Sequence, residues 1–278
     1  MLLRFRWMRY RALATDYDGT LAEEGKVRRE TLRALERLRK SGRRVILVTG
    51  RELEDLMRVC PDVGVFDEIV AENGALLYTP GSAAASRGDL PVASLGRGRS
   101  APPGKPPLEC PLAKPPPPEF VAHLRQRGVS PISCGRIIVA TWQPHESVVL
   151  DVIREMGLEL EVIFNKGAVM VLPSGVNKAF GLARALAKHR LPAEATIGVG
   201  DGENDHSLLG ACGLGVAVAN AVPALKERAD LVMVHPRGDG VIELVEELLK
   251  GDLDDAETKE EGHRDQIAMA IPVVAHVR

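Results

Sequence analysis

The sequence predicts an α/β fold: a parallel sheet flanked by helices, with a small α+β domain inserted into it. Short, fully apolar runs alternate with helix-spaced stretches at both ends of the 278 residues. Polar or acidic loops follow several of these runs, and the pattern changes in the middle of the chain. Composition agrees, since 45% hydrophobic and 27% charged residues describe an ordinary packed protein. The length suffices for one large domain or two small ones.

Leu13 and Ala14 lead into Asp16-Tyr17-Asp18-Gly19-Thr20. A helix is predicted from about Arg28 to Lys40, because Leu32, Leu35 and Leu38 recur at helical spacing and Gly42 can end it. The run Val45-Ile46-Leu47-Val48 reads as a strand buried on both faces, as in a βαβ unit of a parallel sheet. The alternation returns after Asn177, with a helix to about His189 and the apolar run Thr196 to Val199. A helix after Asn204, a run from Gly215 to Ala219, a helix near Ala224, a run from Leu231 to Val234 and a helix from Gly240 complete it. Residues 1–77 and 174–250 are therefore predicted to form one core domain.

The insert spans 78–173. Its first part, 80–118, holds 11 of the 19 prolines, a composition that cannot form a sheet core and predicts a mobile loop or linker. Glu119 to Pro173 then reads as a helix, a strand from Ile137 to Trp142, a helix from His145, and two apolar runs around Asn165-Lys166-Gly167. The tail, 251–278, begins acidic and ends apolar, and no role follows from it.

With 36 basic and 38 acidic residues the formal charge is -2, which excludes a broad electrostatic surface for nucleic acid or anionic membrane. Cys60, Cys110, Cys134 and Cys212 form no C-x-x-C pair, so reduced and mostly buried thiols are expected. Arg4, Arg6, Arg9 and Arg11 interrupt any signal-like apolar core, and no stretch approaches the ~20 apolar residues of a membrane span, so a cytoplasmic location is expected.

Four short motifs carry chemistry. In Asp16-Tyr17-Asp18-Gly19-Thr20 a bend at Gly19 can aim two carboxylates at one ligand, the pattern of a nucleophile with a general acid/base. Thr49, Gly50 and Arg51 leave a buried strand, where the Thr49 hydroxyl and nearby amides can hold a phosphate oxygen. Lys178 stands at a helix start, where the helix dipole disfavours a cation unless an anion is near. Gly200-Asp201-Gly202-Glu203-Asn204-Asp205 offers hard oxygen ligands suited to Mg²⁺. Each has a plain alternative: a turn for the two acidic loops, a helix cap for Thr49, a surface lysine for Lys178. Strand ends of one sheet would bring all four together.

In type and order these motifs resemble those of the haloacid dehalogenase superfamily, and Ala71 to Ala75 (AENGA) and Ala217 to Ala221 (AVANA) resemble its Cof-type branch, which includes sugar-phosphate and phosphoglycolate phosphatases. The resemblance covers nearly all of 10–250. It implies a Rossmann-like core, a small cap over the site, and Mg²⁺-dependent hydrolysis of a small phosphorylated metabolite through an aspartyl-phosphate. It assigns Asp16 as nucleophile, Asp18 as general acid, and Thr49, Gly50 and Lys178 as phosphate-binding. Asp16, the Asp18 carbonyl, Asp201 and Asp205 would hold the metal, with Asn204 in support. Cap residues around Arg136, Trp142, His145 and Lys166 would select the substrate. A non-catalytic phosphometabolite-sensing domain, and a phosphomutase or phosphotransferase using the same aspartyl-phosphate, are the other readings of these motifs.

Overall fold

The apolar runs become strands, and the helix-spaced stretches cover them on both faces. The computed structural model describes residues 8–81 and 105–253. The N-terminal part runs β1 (Ala12–Thr15), β2 (Ala22–Glu23), β3 (Lys26–Val27), α1 (Arg29–Lys40), β4 (Arg44–Val48), α2 (Leu53–Val59), β5 (Glu68–Ala71) and β6 (Leu76–Thr79). The middle holds β7 (Leu108–Pro111), α3 (Pro118–Gln126), β8 (Ser133–Cys134), β9 (Val139–Trp142), α4 (Glu146–Glu155), β10 (Leu160–Asn165) and β11 (Ala168–Pro173). The C-terminal part adds α5 (Lys178–His189), β12 (Thr196–Gly200), α6 (His206–Gly210), β13 (Leu214–Ala217), α7 (Pro223–Arg228), β14 (Leu231–Val232) and α8 (Arg237–Gly251).

Both ends of the chain build one sheet, in the order β14-β13-β12-β1-β4-β5-β6-β7. Strands β14 through β5 are parallel, and β6 and β7 are antiparallel to their neighbours. Leu13 lies between Ile197 and Val45 in register, so β1 is central and chain order reverses on its two sides. Val45 to Val48 are fully buried because each face has its own cover. Leu13, Val45 and Leu47 pack with Leu35 and Leu38 of α1 and Leu244 and Leu248 of α8. Ala14, Ile46 and Val48 pack with Leu182 and Leu186 of α5 and Leu208 of α6. Each leucine so buried contributes about 1.5–3 kcal/mol relative to exposure.

The insert folds as an antiparallel sheet, β10-β11-β9-β8, packed through Val139, Val169 and Val171 against Phe120 and Leu124 of α3 and Val149 and Val152 of α4. Its β10–β11 hairpin turns on Lys166 and Gly167, with φ of 48° and 85°, the two positive values that a two-residue turn matching strand twist requires.

Three expectations are corrected. Leu108–Pro111, inside the proline-rich segment, joins the first sheet as its edge strand β7, where prolines at the ends of a four-residue strand do no harm. The strand expected from Ile137 begins at Val139, because the amides of Ile137 and Ile138 bond to a side chain instead. Of the thiols only Cys60 is fully buried: Cys110 and Cys134 are exposed, on edge strands β7 and β8, and Cys212 is intermediate. The expectations for Arg4 and Arg6, for 82–104 and for the tail from 254 lie outside the described residues. Among the described residues no helix is long and apolar enough to cross a membrane.

Candidate active site

Parallel strands β12, β1 and β4 end on one edge, and the loops that follow them carry Asp201, Asp16 and Thr49. Asp16 extends β1 by one residue, its amide donating to the Val199 carbonyl at 2.9 Å. The chain then bends at Gly19, where φ is +85° and a Cβ would lie 2.3 Å from Asp201 Oδ2. Glycine is thus the residue that lets these two acidic loops touch.

Lys178 is fully buried at the first turn of α5. Its Nζ donates to Asp16 Oδ1 at 2.5 Å and to Asp205 Oδ1 at 2.6 Å, which resolves the conflict between a cation and a helix N-terminus. Burial alone would lower the lysine pKa, but the two carboxylates outweigh it and hold the ammonium above its ordinary value. Asp16 moves the other way. Burial and the negative Asp205 push its pKa up to about 7, against the lowering pull of Lys178. Asp205 is fixed through Oδ2 by the amides of Asp201 at 3.0 Å and Gly202 at 2.9 Å. Burial also raises Asp201, partly offset by Lys166.

Asp18 is gripped by the Arg51 guanidinium in a two-point fork of 2.6 and 2.7 Å. Arg51 also pairs with Asp55 and lies over the Tyr17 ring. Thr49 is buried and accepts the Arg51 amide at 3.1 Å, while Glu52 is the residue preceding α2, so Thr49 is not that helix's cap. Asn204 donates to Asn73 Oδ1 at 3.0 Å.

A cavity of about 640 Å³ lies between these loops and the insert. Asp16, Asp18, Gly50 and Arg51 line it from one side; Ile138, Trp142, Lys166 and Met170 line it from the other. Lys166, at the hairpin tip, crosses the gap and donates to the Asp18 carbonyl at 3.0 Å and to Asp201 Oδ2 at 2.8 Å. The structure does not bring Arg136 or His145 into the cavity lining. Arg136 pairs with Glu54 and Glu109, and His145 Nε2 sits 3.0 Å from the Ser130 carbonyl at the start of α4. Residue type suggested both; their direction depends on a turn and a helix phase that spacing does not reveal.

Two residues at this site went unassigned at the level of sequence. Arg51 sits inside the Val48-Thr49-Gly50-Arg51 string, and Asn220 inside AVANA. Asn220 Nδ2 donates to the Gly19 carbonyl at 2.8 Å and to Asp201 Oδ2 at 3.2 Å, tying the β1 and β12 loops together. A charged or carboxamide residue within a motif was the available signal for both.

The donor set fits a hard divalent cation. Asp16, Asp201 and Asp205 each offer a buried carboxylate oxygen, all within 4.8 Å of one another. The Asp18 carbonyl and Asp201 Oδ2 already converge on one positive charge, the Lys166 ammonium.

The family model described as haloacid dehalogenase-like hydrolase matches residues 13–91 and 138–245. A phosphoglycolate phosphatase of Methanothermobacter thermautotrophicus is 30% identical over 243 residues, covering 84% of this chain and 97% of that protein. One of Pyrobaculum aerophilum is 29% identical, covering 88% and 98%. Among solved structures, Thermoplasma acidophilum 0175 superposes with a TM-score of 0.66 at 14% identity, covering 86% of this chain and 98% of its own. A sugar phosphatase of subclass IIB of the superfamily gives 0.63 at 19%, with the same coverage of 86% and 98%. These two likenesses carry the fold, including an inserted cap. The chain belongs to the haloacid dehalogenase-like hydrolases and is a phosphatase-type enzyme of that family.

Proposed function

We propose that the protein hydrolyses a small phosphorylated metabolite, of the sugar-phosphate or phosphoglycolate kind, through an aspartyl-phosphate on Asp16, with Mg²⁺ as its metal. The observation that carries this reading is the buried Lys178, bonded at once to Asp205 and to Asp16, which lines the same cavity as Asp18. A carboxylate attacking a phosphate meets like charge, and a fixed cation beside the attacking oxygen removes that barrier.

In the first half-reaction Asp16 bonds to phosphorus and the bond from phosphorus to the leaving oxygen breaks. Asp18, carrying a proton on the oxygen freed from one point of its Arg51 fork, delivers that proton to the leaving oxygen. In the second half-reaction water attacks phosphorus, Asp18 takes the water proton, and the Asp16–phosphorus bond breaks to release phosphate. Lys178, Thr49 and the Gly50 amide hold the phosphoryl oxygens through both steps. Asp16, Asp201, Asp205 and the Asp18 carbonyl would hold Mg²⁺, which supplies neutralising charge to the phosphoryl group when bound. Residues 118–173, which fold as their own helices and antiparallel sheet, act as the cap, with Trp142 and Lys166 meeting the leaving group.

The test is phosphate release from a panel of phosphorylated metabolites, phosphoglycolate and sugar phosphates among them, with Mg²⁺ or with EDTA. Release that needs Mg²⁺ supports the reading and ranks the substrates. Binding without release would favour a sensing domain, and an isomerised sugar phosphate would favour mutase chemistry.

A further inference from the structure

The turn after β5 bonds to the cap on one side and to the catalytic loops on the other. Glu72 and Asn73, directly after β5, both take positive φ, 52° and 53°, a costly conformation for residues other than glycine. Glu72 is 1% exposed, yet it forms no ion pair with any described residue. Its carboxylate instead accepts three main-chain amides of the cap: Arg136 at 2.8 Å on Oε1, and Ile137 at 2.7 Å and Ile138 at 3.0 Å on Oε2. The approach is so close that a Cβ on Gly135 would lie 2.6 Å from Glu72 Cδ.

The same turn faces the active site. The Glu72 amide donates to the Arg51 carbonyl and the Asn73 amide to the Thr49 carbonyl, each at 2.9 Å. Asn73 Oδ1 receives Asn204 from the acidic loop. A Cβ on Gly74 would lie 1.9 Å from the Asn177 carbonyl, just before Lys178. Beneath the contact, Ala75 and Val176 pack with the cap residues Ile137, Ile138, Met170 and Leu172.

A buried carboxylate without a cation is stable only while its amide donors remain in place. Three such donors on consecutive residues fix both the position and the direction of the strand they precede, which is β9, and β9 carries Trp142 into the cavity lining. We infer that Glu72 is a positioning residue that pins residues 136–138 of the cap to the Thr49 and Asp201–Asp205 loops, so that the cap meets the leaving group from one fixed pivot. The kinetic part of this inference rests on the phosphatase reading above; the structural part does not.

The experiment compares Glu72→Gln and Gly135→Ala with the unaltered protein by amide hydrogen exchange and by kinetics on two substrates. Glu72→Gln keeps the side-chain shape but turns an amino group toward an amide donor, and Gly135→Ala pushes on an unaltered Glu72 from the cap side. Both variants are expected to speed exchange at 136–138 by about ten- to a hundredfold, the scale of one spoiled buried hydrogen bond, with β1 and β4 unaffected. Both should also lower the ratio of kcat/KM for the best metabolite to that for p-nitrophenyl phosphate by about tenfold, because the cap contributes less to the smaller set of contacts an aryl ester makes. Unchanged exchange at 136–138 in both variants overturns the pivot, whether or not the protein proves to be a phosphatase. Faster exchange with an unchanged substrate ratio overturns the positioning role and leaves a structural anchor. Exchange that rises equally in β1 and β4 also overturns it, since Glu72 would then serve the whole core.

Discussion

On the core side Lys178, Asp16 and Asp205 are buried and bonded together, Lys178 to both carboxylates, and Asp205 also to the amides of Asp201 and Gly202. On the cap side Trp142 stands 53% exposed, and among the described cap side chains Lys166 alone is bonded to the acidic loops' carboxylates. The core wall is therefore preorganised by the fold, and a change there should be felt in stability as well as in turnover. The cap wall is only positioned by its hairpin and its Glu72 contact, so a change there should be felt in substrate use and hardly in stability.

The sharpest way to break that contrast is Lys178→Met. It strands two buried carboxylates, so it should abolish turnover and cost about 3–5 kcal/mol, the usual penalty for removing one partner of a buried ion pair. Urea unfolding followed by fluorescence would read it; lost turnover at unchanged stability would mean that the three charges are not coupled as the distances imply.

The complementary change is Lys166→Ala on the cap. Its side chain is 43% exposed, so stability should move by less than about 1 kcal/mol. KM for the best phosphoester should nevertheless rise about tenfold, the scale of one charge-assisted contact. Steady-state kinetics beside a melting curve would show whether the two effects separate.

How much of this was legible in the sequence follows the same division. Asp16, Thr49 and Asp201 each follow a short, mostly apolar run, and in a parallel sheet adjacent runs end on one edge, so their meeting is implied by chain order. Lys178 was legible because a cation at a helix start asks for an anion. The cap was not legible in this way. Lys166 reaches the site because Lys166 and Gly167 both take positive φ, and Arg136 misses it because its neighbours' amides are held by Glu72. Strand β7 was hidden because four residues, Leu108–Pro111, were averaged with the prolines around them. Arg51, Glu72 and Asn220 were in view as letters of motifs, but their partners are chosen by loop turns.

A smaller prediction concerns the core far from the cavity. Glu68 at the start of β5 is fully buried and accepts Thr79 at 2.9 Å, Lys188 at 3.0 Å and His189 at 3.1 Å. Burial pushes its pKa up, but these bonds outweigh burial and hold it below its ordinary 4.5. With the folded value depressed, its stabilisation is fully present above 4.5 and is lost as pH falls through the folded value. Glu68→Gln should therefore flatten the acid limb of the stability curve and cost about 1 kcal/mol at neutral pH. Denaturation midpoints measured from neutral to acid pH would check it, and an acid limb of unchanged slope would rule it out.

The most direct test of the mechanism is to quench the enzyme with acid during turnover of an excess of its best phosphoester and to map the covalently bound phosphoryl group by mass spectrometry. The account predicts a phosphoryl group on the peptide containing Asp16, absent from Asp16→Asn, which should also lose turnover on the order of 10⁴-fold or more. A phosphoryl group on any other residue, or turnover that survives in Asp16→Asn, would contradict it.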